Sequence, residues 1–183
     1  PICGTPMIGL LLERLAKAKR IHRIVLATST DPRNGPLVRH VQELGYAVYQ
    51  GSEDDVLDRY YRAATEAAAD TIVRITGDCP LIDPLLVDEV IARFLESGVD
   101  YAANTLPPTY PDGLDTEVFS YRALEIAWNQ AQAPEQREHV TPFIRESSSF
   151  SRVNMQHAKD CSNERWTVDE PEDFEVVQKV IEH

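Results

Sequence analysis

Apolar and polar positions along this chain fall into short strand-like runs separated by helical periods. Residues 23–28, 47–49, 71–76, 99–103 and 151–155 are apolar or β-branched runs of strand length, and residues 116–120 alternate with a period of two. Residues 165–168 read as a last short strand. Between them the pattern lengthens to a helical period. A helix is expected from Thr5-Pro6 to about residue 18, a second over 37–44 closed by Gly45, and an amphipathic third over 56–69. Further helices are expected over 85–95, 122–132 and 135–145, and a terminal one after Asp169-Glu170-Pro171-Glu172-Asp173. Strands that alternate with helices predict an α/β fold with a mostly parallel sheet covered on both faces. No repeat or low-complexity linker interrupts the series, so one domain over 1–183 is the simplest organisation.

The most informative stretch is Arg74-Ile75-Thr76-Gly77-Asp78-Cys79-Pro80-Leu81-Ile82-Asp83-Pro84. A strand stops at the Gly77-Asp78 turn, and Asp83-Pro84 has the form of a helix N-cap with proline at the first helical position. Asp78 then sits at the carboxyl end of a strand, where open α/β sheets bind ligands. It either caps the turn or holds a cation or nucleotide. Asp169 has the same context, after an apolar run and before a helix, so both carboxylates are expected at one edge of the sheet. Such a pair suits Mg²⁺, which takes one or two carboxylates and completes its shell with water and phosphate oxygens. Plain helix capping accounts for Asp169 equally well.

Three other groups carry possible chemistry. Asp112, Asp115 and Glu117 surround the Gly113 turn and could hold sugar hydroxyls, or form a solvated turn. Arg137 and His139 share a predicted helix. A guanidinium suits a phosphate or carboxylate, while a lone histidine is more often a surface residue. Ser52 and Arg59 flank the start of another helix, where a base or phosphate could be met. Glu53, Asp54 and Asp55 read there as caps. No Walker A, dinucleotide, zinc-protease or nucleophile-elbow motif occurs.

Composition narrows the partners. The 183 residues carry a net charge of −12, which disfavours nucleic acid and anionic membrane surfaces. No apolar run approaches the roughly 20 residues of a membrane span. Cys3, Cys79 and Cys161 form no C-x-x-C pair, so a disulfide framework and zinc are not expected, and a reducing cytoplasm fits. The opening Pro1-Ile2-Cys3-Gly4-Thr5-Pro6 reads as the middle of a loop, so a preceding segment is expected.

Five segments taken together, RITGDCPLIDP (74–84), GSEDDVLDR (51–59), PDGLDTEVFS (111–120), REHVTPFI (137–144) and RWTVDEPEDF (165–174), resemble the spore coat polysaccharide biosynthesis cytidylyltransferase family. That group is similar to the CMP-sialic acid and CMP-Kdo synthetases. The resemblance implies a Rossmann-like nucleotidyltransferase fold, a homodimer, and transfer of CMP from CTP to a sugar with release of pyrophosphate. It implies Mg²⁺ bound at Asp78 and Asp169. For that reaction the residues themselves suggest nucleotide contacts at Ser52, Arg59 and Asp78, and sugar contacts among Asp112, Asp115, Glu117, Arg137 and His139. The resemblance also implies an N-terminal strand and a phosphate-gripping loop ahead of Pro1, without which the 183 residues alone are expected to be inactive. Two other readings stay open: a glycosyltransferase using a nucleotide-sugar, and a nucleotide-binding subunit without turnover. The first usually shows Asp-x-Asp, where this chain has Asp78-Cys79-Pro80.

Overall fold

The computed structural model describes residues 1–183. In chain order the elements are α1 (Met7–Leu15), β1 (Val25–Ser29), α2 (Gly35–Glu43), β2 (Ala47–Gly51), α3 (Val56–Glu66), β3 (Thr71–Arg74) and α4 (Pro84–Ser97). Then come β4 (Tyr101–Ala103), β5 (Glu117–Ser120), α5 (Tyr121–Gln130), α6 (Pro134–His139), α7 (Pro142–Glu146), β6 (Arg152–Asn154) and α8 (Pro171–Glu182).

β1 and β2 pair in parallel, and the other four strands form a sheet in the order β3-β5-β4-β6. β4 and β6 are parallel, whereas β5 runs against both of its neighbours. Side chains alternate across the sheet as the pleat requires. Val73, Ala102, Val118 and Val153 face a core shared with Leu11, Leu12 and Leu15 of α1, Val41 of α2, and Val87, Val90 and Ile91 of α4. Ile72, Tyr101, Ala103 and Phe119 face a second core with Leu57 and Ala64 of α3, Leu124 and Ala127 of α5, and Ile144 of α7. Leu26 of β1 and Val48 of β2 pack on the first core, so both sheets rest on the same helical layer. Each fully buried aliphatic side chain in these layers contributes about 1.5–3 kcal/mol. The result is an α/β sandwich with helices on both faces.

Local signals place most boundaries. Asp83 caps α4 by accepting from the Leu85 N–H at 2.8 Å, and Gly98 ends that helix at φ 62°. Asp55 caps α3 through the Asp58 N–H at 2.9 Å. Three expectations are corrected. Residues 165–168 are not a sheet strand: the Val168 N–H bonds to the Asp78 carbonyl and the Trp166 N–H to the Asp112 carbonyl, so these donors go to loops. The helix expected over 135–145 breaks at Val140, which takes φ 69° and separates α6 from α7. The first helix begins after Pro6, because the Thr5 backbone is tied in a small bridge with Ile2, and it ends at Leu15 with Ala16 as its C-cap. No helix is long and apolar enough to cross a membrane.

Candidate active site

Three loops meet beyond the end of β3. The first is the Thr76–Pro80 turn. The second is the 111–116 loop before β5. The third is the 164–169 segment that leads into α8. Gly113 makes the second and third contact possible. A Cβ there would lie 2.5 Å from the Thr167 nitrogen and the Trp166 carbonyl carbon, and the residue sits at φ 101°. Only glycine has both the space and the backbone freedom. The Asp112 N–H then bonds to the Glu164 carbonyl at 3.0 Å, and the Asp112 carbonyl accepts from Trp166 at 2.7 Å. On the other side the Asp78 carbonyl accepts from the Val168 N–H at 2.9 Å and the Thr167 hydroxyl at 3.2 Å. Asp78, Asp112, Asp115 and Asp169, far apart in the chain, are thereby gathered on neighbouring loops.

Arg165 is the cation at the centre of this acidic cluster. Its guanidinium donates to Asp112 Oδ2 at 2.9 Å, to Asp169 Oδ2 at 2.5 Å, and to both oxygens of Asp173 at 2.9 and 3.0 Å. Asp173 in turn accepts from the backbone N–H groups of Asp169 and Glu170, closing the first turn of α8. The Arg165 fork, followed by the Glu170 N–H, pulls the Asp173 carboxyl down to about 2. Asp115 goes the other way. Burial, then the charges of Asp112, Glu117 and Asp78, push it up to about 6, with Arg74 opposing. The Asp78 carboxylate accepts only a weak bond, from the Cys79 thiol at 3.4 Å. Burial pushes that thiol up to about 12, so Cys79 is an inert packing residue.

Other expected site residues lie elsewhere or are already engaged. Glu117 is buried, and its carboxylate accepts from Tyr101, Thr141 and Arg74. Arg137 closes a fork on Asp55, with Nε at 3.0 Å and Nη2 at 2.5 Å, and gives Nη1 to the Trp128 carbonyl. It joins α6 to the cap of α3 and has no open donor edge facing a sugar. His139 is exposed at the end of α6 and its ring makes no hydrogen bond. Ser52 and Arg59 are brought together: the Ser52 hydroxyl accepts from the Asp55 N–H, and Arg59 Nη1 donates to the Ser52 carbonyl at 2.7 Å.

Two arginines that sequence reasoning passed over matter here. Arg74 carried a signal, since a lone arginine in a β-branched strand needs a buried acid, and Glu117 supplies it. Arg165 carried none until its loop was placed beside Asp112.

Carboxylates gathered at the carboxyl edge of a sheet suit a bound cation and phosphates, and comparison with known proteins shows the family of the fold. The family model described as "Cytidylyltransferase" matches residues 1–182. The uncharacterized protein MJ1063 of Methanocaldococcus jannaschii is 37% identical over 180 residues, covering 97% of this chain and 73% of that protein. The spore coat polysaccharide biosynthesis protein SpsF of Bacillus subtilis is 30% identical over 190 residues, covering 100% and 78%. A solved cytidylyltransferase from Leptospira borgpetersenii superposes with a TM-score of 0.95 at 31% identity, covering 100% of this chain and 78% of that one. The chain belongs to the cytidylyltransferase family and is a nucleotidyltransferase of Rossmann-like fold.

Proposed function

We propose that this protein transfers the CMP group of CTP to a hydroxyl of a sugar, releases pyrophosphate, and so activates that sugar for surface or spore coat polysaccharide. The observation that supports this best is the bond between the Val168 N–H and the Asp78 carbonyl, which sets the Asp169 loop beside the Asp78 turn. Two carboxylates then stand on adjoining loops, and that of Asp78 is held by nothing stronger than a thiol. No group of three or more His, Cys, Asp or Glu side chains could hold a metal by protein ligands alone. A two-carboxylate site completed by water and phosphate is the Mg²⁺ pattern, and this donor set fits it. Asp78 and Asp169 would hold the ion, which would offset charge on the phosphates.

The chain's own residues do the positioning. The acceptor oxygen forms its bond to the α-phosphorus as the bond to the pyrophosphate oxygen breaks, so alignment and charge neutralisation carry most of the rate. Arg165 keeps Asp169 and Asp112 in place, and Asp115 accepts a hydrogen bond from a sugar hydroxyl. Ser52 and Arg59 border the nucleotide. The reaction would run as a homodimer in the cytoplasm, where the free thiols of Cys3, Cys79 and Cys161 stay reduced.

Pyrophosphate release from CTP is the direct assay, with sialic acid and 3-deoxy-manno-octulosonate as first acceptors and full-length protein as catalyst. Asp78→Asn and Asp169→Asn should each lower kcat on the order of 10²–10³-fold. The melting temperature should hardly change, because neither carboxylate is buried in a structural pair. Normal turnover by the double variant would rule out the metal-binding role.

A further inference from the structure

β3 carries one charge inside the protein. Arg74 stands in register opposite Glu117 of β5, with 19% of its side chain exposed. Nη1 donates to Glu117 Oε2 at 2.6 Å. Nε is buried with no partner, and Nη2 makes no hydrogen bond within the protein. Arg137 shows how a purely structural arginine is used in this chain, with donors spent on Asp55 and the Trp128 carbonyl. Arg74 instead keeps Nε idle in a buried setting, where an unmade bond costs about 1–3 kcal/mol, and leaves Nη2 open to solvent.

These two donors are held still. Glu117 Oε1 accepts from the Tyr101 hydroxyl at 2.6 Å and the Thr141 hydroxyl at 2.7 Å, so β4 and the turn before α7 fix the carboxylate that fixes the guanidinium. That turn is itself unusual. Val140, fully buried, has φ 69° and ψ −56°, and the Thr141 N–H bonds to the His139 carbonyl at 2.8 Å. This is a γ-turn around a β-branched residue, a strained form that persists where its surroundings over-determine it and that gathers at functional sites.

The guanidinium is also close enough to the acidic loops to act on them. Its charge acts on Asp115, as do those of Asp78 and Asp112. Burial raises the Tyr60 hydroxyl pKa, and the charges of Arg74, Glu117, Arg59 and Asp78 all bear on that hydroxyl. Arg59 Nε is a second buried donor without a partner. Positive charge with open donors therefore borders the Asp78 turn from the α3 side.

We infer that Arg74 contacts an oxyanion of one of the two reactants, either the carboxylate of an acidic sugar or a phosphate of the nucleotide, with Arg59 and Tyr60 beside it. Glu117 and Thr141 are positioning residues that act through Arg74. The inference rests on the reaction proposed above. It moves the anion contact from Arg137, which is spent on α3, to a residue of β3.

Arg74→Gln leaves Glu117 without its cation, so the double variant Arg74→Gln/Glu117→Gln, which removes both buried charges, is the decisive protein. Its KM for CTP and its KM for the sugar acid are measured separately by pyrophosphate release, with isothermal titration of each ligand alongside a melting curve. The expected result is a loss of about tenfold or more for one reactant, with the other within about twofold. Arg74→Lys should fall between, because it keeps the charge and loses the fork. A shift confined to the sugar acid identifies the carboxylate, and one confined to CTP identifies a phosphate. Unchanged KM values for both, or an equal loss for both that tracks a lowered melting temperature, overturns the inference. Failure of the unaltered protein to release pyrophosphate with any acceptor counts against the reaction itself.

Discussion

Asp115 lies in the loop before β5 and Asp173 in the first turn of α8, and their surroundings pull them in opposite directions. Asp173 receives two guanidinium bonds and two backbone N–H bonds, all of which favour the carboxylate. Its folded pKa of about 2 lies below the unfolded value of about 3.9, so it adds stability at neutral pH. That share is lost as the pH falls from about 4 toward 2. Asp115 accepts no hydrogen bond and is ringed by other acids, and its folded pKa of about 6 lies above the unfolded value. The native state then binds the extra proton, and stability falls as the pH rises from about 4 through 6. Asp115→Asn should therefore stabilise the fold by about 1–3 kcal/mol at pH 7.5 and have little effect near pH 4. Asp173→Asn should lower stability at pH 7.5 and flatten the acid limb. Urea unfolding of both variants across this range checks the two signs. A stabilising substitution at Asp115 that also weakens turnover would mark the residue as retained for function at the expense of stability.

The contact between the 111–116 loop and the 164–169 segment is the joint on which the site depends. Every backbone bond across it requires residue 113 to lack a side chain. Gly113→Ala places a Cβ against the backbone of Trp166 and Thr167, where no flexible side chain can give way. It also imposes a strained φ, and the two effects together should cost on the order of 2–4 kcal/mol. Thermal unfolding measures the loss. The same variant should weaken turnover further than its stability explains, because Arg165 would no longer reach Asp112.

Which elements were legible follows from how local their causes are. Asp83-Pro84 and Gly98 bracket α4, and Asp55 opens α3, because capping is settled within one turn of chain. Asp169 is expected beside Asp78 because each reads as following a strand; residues 165–168 form none, and it is the loop bond from the Val168 N–H to the Asp78 carbonyl that brings the two segments together. The break at Val140 was not, since a buried β-branched residue gives no hint of positive φ, and its turn is held by Glu117 from a distant strand. Glu117 and Arg137 have the residue types that bind sugars, and only the placement of Arg74, Tyr101 and Asp55 shows their bonds already taken. The run at 165–168 has strand composition, but its partners are loop carbonyls.

On the scale of the molecule, an acidic protein must draw in anionic reactants. If CTP and a sugar acid are the reactants, as proposed above, the net charge of −12 repels them over long range, and the proposed attraction comes from a few arginines near the Asp78 turn. These two fields respond differently to salt. The screening length is about 30 Å at 0.01 M and about 8 Å at 0.15 M, so added salt erases the repulsion of the distant surface first. The contacts proposed for Arg59 and Arg74 would act over a few ångströms in a partly water-excluded setting and be screened much less. At fixed Mg²⁺, kcat/KM for CTP should then rise a few-fold between 10 and 150 mM KCl, while kcat at saturation stays nearly constant. Steady-state kinetics over that range checks it. A fall of similar size would mean that the crevice cations dominate the field well beyond the crevice, and that the acidic surface is arranged to leave the approach open. Arg74→Gln/Glu117→Gln separates the two cases, because it leaves the net charge at −12 and removes one local cation with its partner. If repulsion from the distant surface governs encounter, this variant keeps the salt dependence of the unaltered protein even where its KM has changed.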